Sequence, residues 1–158
     1  MTKGLAIVGL NFDRNIEGLA RDYVYLPERG RNIMVDVRAI QQAKFSVLVD
    51  ANHGAGSLLS AALLERLGCR VTMLGGEPNG RFAHPPEPTA ENLSTVLPLV
   101  GAAQADVGFC QDPDADRLAI IDEQGRYIGE EYTLAMCVDH MLRRKPGAIV
   151  TNCSTSRM

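Results

Sequence analysis

The sequence of 158 residues lacks several features that mark particular classes of protein. No apolar run reaches the roughly 18 residues that a membrane-spanning helix needs, so no membrane partner is expected. Basic residues form no cluster longer than Arg143 to Lys145 and the net charge is −3, which argues against a nucleic-acid partner. The N-terminus has neither a long apolar core nor a cleavage site of small residues, so we expect no signal peptide and a cytoplasmic location.

Cysteine is scarce, and its spacing does not suit metal or disulfide chemistry. The four cysteines are Cys69, Cys110, Cys137 and Cys153. No two of them form a C-x-x-C pair, which argues against a zinc site. We expect them to be reduced and to behave as small buried hydrophobic residues in a cytoplasmic protein.

Hydrophobic residues make up 46% of the chain and charged residues 22%, an ordinary composition for a globular domain. Strand-like and helix-like patterns then alternate. The predicted strands are 44–50, 69–74, 105–110, 117–122 and 126–129, with a last one starting at residue 148, and the predicted helices are 36–43, 57–68, 89–104 and 130–145. This order predicts an α/β fold: a three-layer α/β/α arrangement with a mixed, mainly parallel sheet of about four strands. The turn EQG predicts one antiparallel pair.

The loop DANHGAGS joins a predicted strand to a predicted helix. Backbone N–H groups at such a helix start can face a phosphate, which makes His53, Gly54 and Gly56 candidates for a phosphate-facing loop. A nucleotide-binding module using Gly54, Gly56 and Glu77 is an alternative, although Leu59 stands where that fingerprint has its third glycine. A tight turn without a ligand is the other alternative, with His53 capping the helix.

The loop GGEPNGRFAHPPEP is rich in glycine and proline and is about as long as ordered loops become. It contains Arg81 and His84. A single histidine without a partner in the sequence carries little information, so we interpret both as surface loop residues.

The stretch CQDPDADRLAIID places Asp112, Asp114 and Asp116 at alternate positions after an apolar strand. Carboxylates this close raise each other's pKa unless something compensates their charge. A ligand set made only of carboxylate oxygens favours a hard ion such as Mg2+, with Mn2+ or Ca2+ as other candidates. With the guanidinium of Arg117 beside it, such an ion forms a site for a phosphoryl group. The alternative is a solvated acidic turn in which Arg117 is the counter-ion.

These motifs together resemble the α-D-phosphohexomutase family, and most closely its phosphomannomutase/phosphoglucomutase branch. The resemblance rests on DPDADR followed by LAIIDEQG, on VDANHGAG upstream, on PEPTAENL between them and on TNCSTSRM at the end. It covers residues 36–158 in the family's order. The aspartate loop with its arginine is the specific motif, and the other three support it.

The resemblance implies an isomerase with four domains that moves phosphate between O1 and O6 of a hexose through a phosphoserine and a bisphosphorylated sugar. Asp112, Asp114 and Asp116 would bind Mg2+, and Arg117 would contact the phosphoserine or the transferring phosphoryl group. Residues 36–146 would form domain two and residues 147–158 the start of domain three. Residues 1–35 would be the tail of domain one or a leading helix.

The sequence departs from the family pattern in what it lacks. No serine is followed by histidine, so the phosphoserine motif is absent, as are the sugar-recognition loop and the phosphate loop of domain four. We therefore expect an excised piece or a truncated product that binds metal weakly, is inactive alone, and needs domains one and three to act on a hexose phosphate.

One alternative enzyme class is a phosphatase of the haloacid-dehalogenase type, in which a strand ends in Asp-x-Asp. Asp112 would then be the nucleophile and Asp114 the general acid/base. That interpretation leaves Asp116 and Arg117 without a role.

Overall fold

The computed structural model describes residues 37–144 and 146–149. The helices are α1 (Val37–Ala43), α2 (Ser57–Arg66), α3 (Leu97–Ala102) and α4 (Glu131–Arg144). The strands are β1 (Ser46–Asp50), β2 (Arg70–Leu74), β3 (Val107–Gln111), β4 (Leu118–Asp122) and β5 (Tyr127–Gly129). No helix within these ranges has the length and apolar character needed to cross a bilayer.

The five strands form one mixed sheet in the order β2-β1-β3-β4-β5. Strand β1 runs parallel to both β2 and β3, whereas β4 is antiparallel to β3 and to β5. The predicted α/β fold and the antiparallel pair around the turn EQG are confirmed, with five strands rather than about four. Because β1 to β3 are parallel, their carboxyl ends meet at one edge of the sheet, and the loops that follow them come together there.

Alternating side chains give the sheet two buried faces, as its central position requires. Val47 and Val49 of β1 pack with Ile40 of α1 on one face, and Leu63 and Leu64 of α2 pack against the same cluster. On the other face, Leu48 packs with Leu93, Val96 and Val100, which belong to α3 and the turns before it. Each fully buried side chain of this size contributes about 2 kcal/mol of hydrophobic free energy. The three-layer arrangement therefore follows from period-two patterning.

The predicted helix over 89–104 is shorter in the structure, which has turns up to residue 96 and helix only in α3. Pro98 explains the difference, because its ring would clash with the carbonyl of residue 94 and it has no N–H to donate. Such a residue fits only the first turn of a helix, and Pro98 lies there. Thr89 still caps the first turn of the segment: its Oγ1 accepts a hydrogen bond from the Asn92 N–H at 3.3 Å.

Of the described cysteines, Cys110 is buried, and Cys69 and Cys137 are half-buried. Burial and then the charge of Asp50 raise the pKa of Cys110, so its thiol stays protonated. Cys153 lies outside the described residues, as do the segment 1–35 and the last predicted strand beyond residue 149. Residues 146–149 form neither helix nor strand.

Candidate metal centre

The aspartate loop follows β3 at the carboxyl edge of the sheet, and its three carboxylates converge. One oxygen from each of Asp112, Asp114 and Asp116 lies within 4.8 Å of the others. Asp112 is buried and the other two are exposed, so the cluster opens to solvent on one side. Ala115 makes this possible by adopting a left-handed φ of 60°, which turns the chain back between the second and third carboxylates. An all-oxygen set of this kind fits Mg2+ or Mn2+.

Arg117 compensates part of the negative charge. Its backbone N–H donates to Asp112 Oδ1 at 3.1 Å and its Nε donates to Asp112 Oδ2 at 2.9 Å. Its Nη1 donates to Glu87 Oε1 at 3.3 Å, and Asp116 lies 3.8 Å from its Nε. The guanidinium is thus held between the buried carboxylate of Asp112 and the end of the loop rich in glycine and proline, residues 75–88 (the Gly/Pro loop). The Arg117 side chain is 42% exposed, so part of it remains open to solvent beside the cluster.

The pKa values of Asp112 and Asp116 are shifted in opposite directions. Burial raises the pKa of Asp112, but hydrogen bonds from the backbone and side chain of Arg117 outweigh it and hold that pKa below its ordinary value. The pKa of Asp116 is raised, first by its hydrogen bond to Asp112 and then by the charges of Asp112 and Asp114. The cluster therefore carries uncompensated negative charge at its exposed side, where a cation would relieve it.

The loop DANHGAGS, residues 50–57 (the glycine loop), lies directly against the aspartate loop, residues 112–117. A Cβ on Gly54 would come within 2.4 Å of the Pro113 carbonyl oxygen, and one on Gly56 within 2.5 Å of Gln111 Oε1. The Ala55 N–H donates to the Pro113 carbonyl oxygen at 2.7 Å. The two glycines thus allow a close approach that the sequence analysis did not anticipate, and the loop supports the backbone between Asp112 and Asp114.

The same loop has few free donors for a phosphate. The N–H groups of Gly54, Ala55 and Ser57 already donate to carbonyl oxygens of Ala51, Pro113 and Gly54, respectively. They would have to change partners to bind an anion. His53 does not cap α2; its Nδ1 lies 2.9 Å from the carbonyl oxygen of Glu77, which joins this loop to the Gly/Pro loop. A phosphate-facing role for His53, Gly54 and Gly56 stays a prediction.

The interpretation of His84 as a surface residue is wrong. Its side chain is 7% exposed, and its Nε2 lies 2.6 Å from Oδ2 of the buried Asp50 at the end of β1. Asn52, also buried, accepts hydrogen bonds from the Ala83 N–H at 2.7 Å and the His84 N–H at 3.3 Å, and donates to the His84 carbonyl oxygen at 3.0 Å. Arg81, by contrast, is exposed as predicted. Sequence analysis missed Asn52 and Asp50 because their partner lies more than 30 residues away.

Known proteins of one family resemble this chain. The family model described as phosphoglucomutase/phosphomannomutase, alpha/beta/alpha domain II, matches residues 24–125. A phosphoglucomutase/phosphomannomutase from Thermococcus kodakarensis is 44% identical over 126 residues, covering 78% of this chain and 28% of that protein. A protein from the same organism named "Probable phosphoglucosamine mutase" is 40% identical over 108 residues, covering 68% of this chain and 24% of that protein.

A solved structure shows the same fold. The crystal structure of a phosphoglucomutase/phosphomannomutase family protein from Burkholderia thailandensis superposes with a TM-score of 0.60 at 32% identity, covering 71% of this chain and 26% of that one. The chain thus spans about a quarter of the length of the proteins it matches. The family match includes both the glycine loop and the aspartate loop, and it covers more than half of the chain. The chain therefore belongs to the phosphoglucomutase/phosphomannomutase family of α-D-phosphohexomutases, of which it contains domain II.

Proposed function

We propose that the chain supplies the metal-binding domain of a phosphohexomutase, with domain two over residues 36–146 and the start of domain three at 147–158. The observation that carries this proposal is the convergence of three carboxylate oxygens within 4.8 Å beside a half-exposed guanidinium. Phosphoryl transfer depends mainly on positioning and on charge neutralisation, and this arrangement offers both.

In the proposed site, Asp112, Asp114 and Asp116 hold Mg2+, with Mn2+ or another divalent ion as a substitute. When bound, the ion would withdraw charge from a phosphoryl oxygen and so favour attack on phosphorus. Arg117 then offers its remaining N–H groups to other oxygens of the same phosphoryl group, which orients that group and stabilises its negative charge. The glycine loop keeps the backbone of the aspartate loop fixed while this happens.

The complete reaction is the transfer of phosphate between O1 and O6 of a hexose phosphate through a phosphoserine and a bisphosphorylated sugar. The phosphoserine belongs to domain one and the sugar loop to domain three, so the chain is inactive alone. The relatives carry names for glucose, mannose and glucosamine phosphates. We propose a hexose phosphate as the substrate class and domains one and three of the full-length protein as the partners.

The alternatives fit the geometry less well. A phosphatase of the haloacid-dehalogenase type would use Asp112 and Asp114 alone, yet Asp116 joins them in the cluster and Arg117 donates two hydrogen bonds to Asp112. As a nucleotide-binding module, the chain would use Gly54, Gly56 and Glu77. Gly54 and Gly56 face protein atoms, however, and the Glu77 carboxylate lies on the surface near the amide of Asn79.

Calorimetric titration of Mg2+ and of Mn2+ tests the metal site. Asp114→Asn is the informative variant because Asp114 is exposed and the substitution conserves its shape. Asp139→Asn is the matched control: it removes the same charge from an exposed position on α4, where the ion pair with Arg143 adds little stability. We expect weak binding, in the range of about 10⁻³ M, by the wild type and the control.

Asp114→Asn should bind Mg2+ and Mn2+ at least about tenfold more weakly than the wild type, because a direct ligand matters no less than the groups around it. Equal affinity in the wild type and in Asp114→Asn would contradict the site. An equal loss in Asp139→Asn would show that only net charge is being measured.

A further inference from the structure

The Gly/Pro loop, residues 75–88, is fixed to the sheet edge by three buried side chains. His84 contacts Asp50 at 2.6 Å, and Asn52 makes three hydrogen bonds to the backbone of Ala83 and His84. Asn52 holds a left-handed φ of 46°, a conformation that costs free energy for a residue with a side chain. A buried asparagine persists there because its hydrogen bonds over-determine its position.

Beyond this anchor, the chain leads to Glu87 through a rigid segment. Pro85, Pro86 and Pro88 restrict the backbone on both sides of Glu87, since proline fixes its own φ and limits the residue before it. Pro88 is buried, and its carbonyl oxygen accepts a hydrogen bond from the Tyr127 hydroxyl at 2.8 Å. The carbonyl oxygen of Glu87 itself accepts from the Thr89 N–H at 2.9 Å and from Asn92 Nδ2 at 2.8 Å. The backbone of Glu87 is therefore fixed, although its side chain is 63% exposed.

The only charged contact that the structure gives Glu87, within the described residues, is the one to Arg117 at 3.3 Å. More than a third of each side chain in this pair is exposed, so the contribution of the pair to stability is small, about 0.2–1 kcal/mol. An ion pair that adds so little stability does not by itself explain why the backbone that carries Glu87 is fixed at both ends. The pair is better explained by what it does to the guanidinium, which is shared with the metal cluster.

We propose that Glu87 is a positioning residue for Arg117 in the phosphoryl-transfer site, and that the Asp50–Asn52–His84 anchor sets its place. This inference rests on the proposed function. When Asp112 serves as a metal ligand, its carboxylate has less charge to offer the guanidinium of Arg117. Glu87 lies outside the aspartate cluster and keeps its contact, so Arg117 stays oriented toward the incoming phosphoryl group.

The order of the Arg117 side chain, measured by ¹⁵N relaxation of its Nε–Hε group, reports this directly and requires no catalysis. In the Asp112→Asn variant without metal, Glu87 is the one described residue whose carboxylate still lies within hydrogen-bonding distance of Arg117. We expect the Nε order parameter of this variant to stay close to that of the wild type. Adding Glu87→Gln should lower it to the flexible range, below about 0.6. Adding Glu91→Gln, an exposed acid with no contact to Arg117, should not.

A second comparison leaves buried residues untouched. With saturating Mg2+, Arg117 should remain ordered in the wild type and become mobile in Glu87→Gln. The proposal would be overturned if adding Glu87→Gln to Asp112→Asn left the Nε order parameter of Arg117 unchanged. It would also be overturned if adding Glu91→Gln lowered that order parameter as much as Glu87→Gln does. If Mg2+ shifts no resonance between residues 112 and 117 of the wild type, the metal site itself is wrong. The metal-free comparison still decides the role of Glu87 in that case.

Discussion

The contact between the glycine loop and the aspartate loop gives the sharpest quantitative prediction. Replacing Gly54 by alanine places a Cβ 2.4 Å from the carbonyl oxygen, 2.6 Å from the Cα and 2.8 Å from the carbonyl carbon of Pro113. All three atoms are backbone, so no side-chain rotation relieves the overlap. Overpacking of this kind costs about 1–3 kcal/mol. Moving Pro113 away also strains its hydrogen bond from the Ala55 N–H, which is worth about 1 kcal/mol.

We therefore expect Gly54→Ala to lower the free energy of unfolding by about 3 kcal/mol, a large part of the stability of an ordinary domain. With a urea dependence near 2 kcal/mol per M, the unfolding midpoint falls by about 1.5 M. Gly101→Ala is the matched control. A Cβ there meets only the Glu123 carbonyl oxygen at 3.8 Å, and alanine suits a helix better than glycine, so stability should hold or rise by up to about 1 kcal/mol.

Gly54→Ala should also weaken Mg2+ binding, because Pro113 lies between two of the proposed ligands. We expect a loss of affinity of about tenfold under conditions where Gly54→Ala is still folded. An unfolding midpoint within about 0.3 M of the wild type would refute the packing argument. A lower midpoint with unchanged Mg2+ affinity would refute the claim that the glycine loop supports the metal loop.

Two further predictions concern the frame around the site. Asp122 accepts hydrogen bonds from the N–H groups of Gln124 and Arg126 and from Arg126 Nε. Burial raises the pKa of Asp122, but these hydrogen bonds outweigh it and hold that pKa below its ordinary value of 3.8. Asp122→Asn should therefore lower the free energy of unfolding by about 1 kcal/mol at pH 7. Urea unfolding should show this difference from the wild type shrinking as the pH falls below 3.8 through the lowered pKa. A difference that stays constant with pH would contradict this cause. Tyr127→Phe removes the hydrogen bond to the Pro88 carbonyl oxygen and should cost about 1 kcal/mol, measured in the same way, whereas an unchanged midpoint would show that Pro88 is held by packing alone.

The sequence predicted the layers of the fold because burial on both faces of a central strand leaves a clear pattern, as in Val47, Leu48 and Val49. It predicted that the carboxylates of Asp112, Asp114 and Asp116 converge, because side chains close in sequence need only a local turn to come together.

Long-range contacts escaped sequence analysis. Nothing near His84 in sequence announces its contact with Asp50, and nothing near Gly54 announces Pro113. The predicted helix over 89–104 was longer than α3, because the apolar spacing of Leu93, Val96 and Val100 suits a helix. Pro98 fits only the first turn of a helix, so α3 begins at Leu97.

The coupling between metal and phosphate tests the central claim most directly. Calorimetry would measure the affinity of the wild-type chain for Mg2+ with and without phenyl phosphate, which stands in for the phosphoserine. If the aspartate loop and Arg117 form one metal–phosphoryl site, phenyl phosphate should tighten Mg2+ binding by about fivefold or more, and the effect should vanish in Asp114→Asn. Mg2+ binding that is unaffected by the phosphate ester, or no Mg2+ binding with and without it, would contradict a phosphoryl-transfer half-site in this chain.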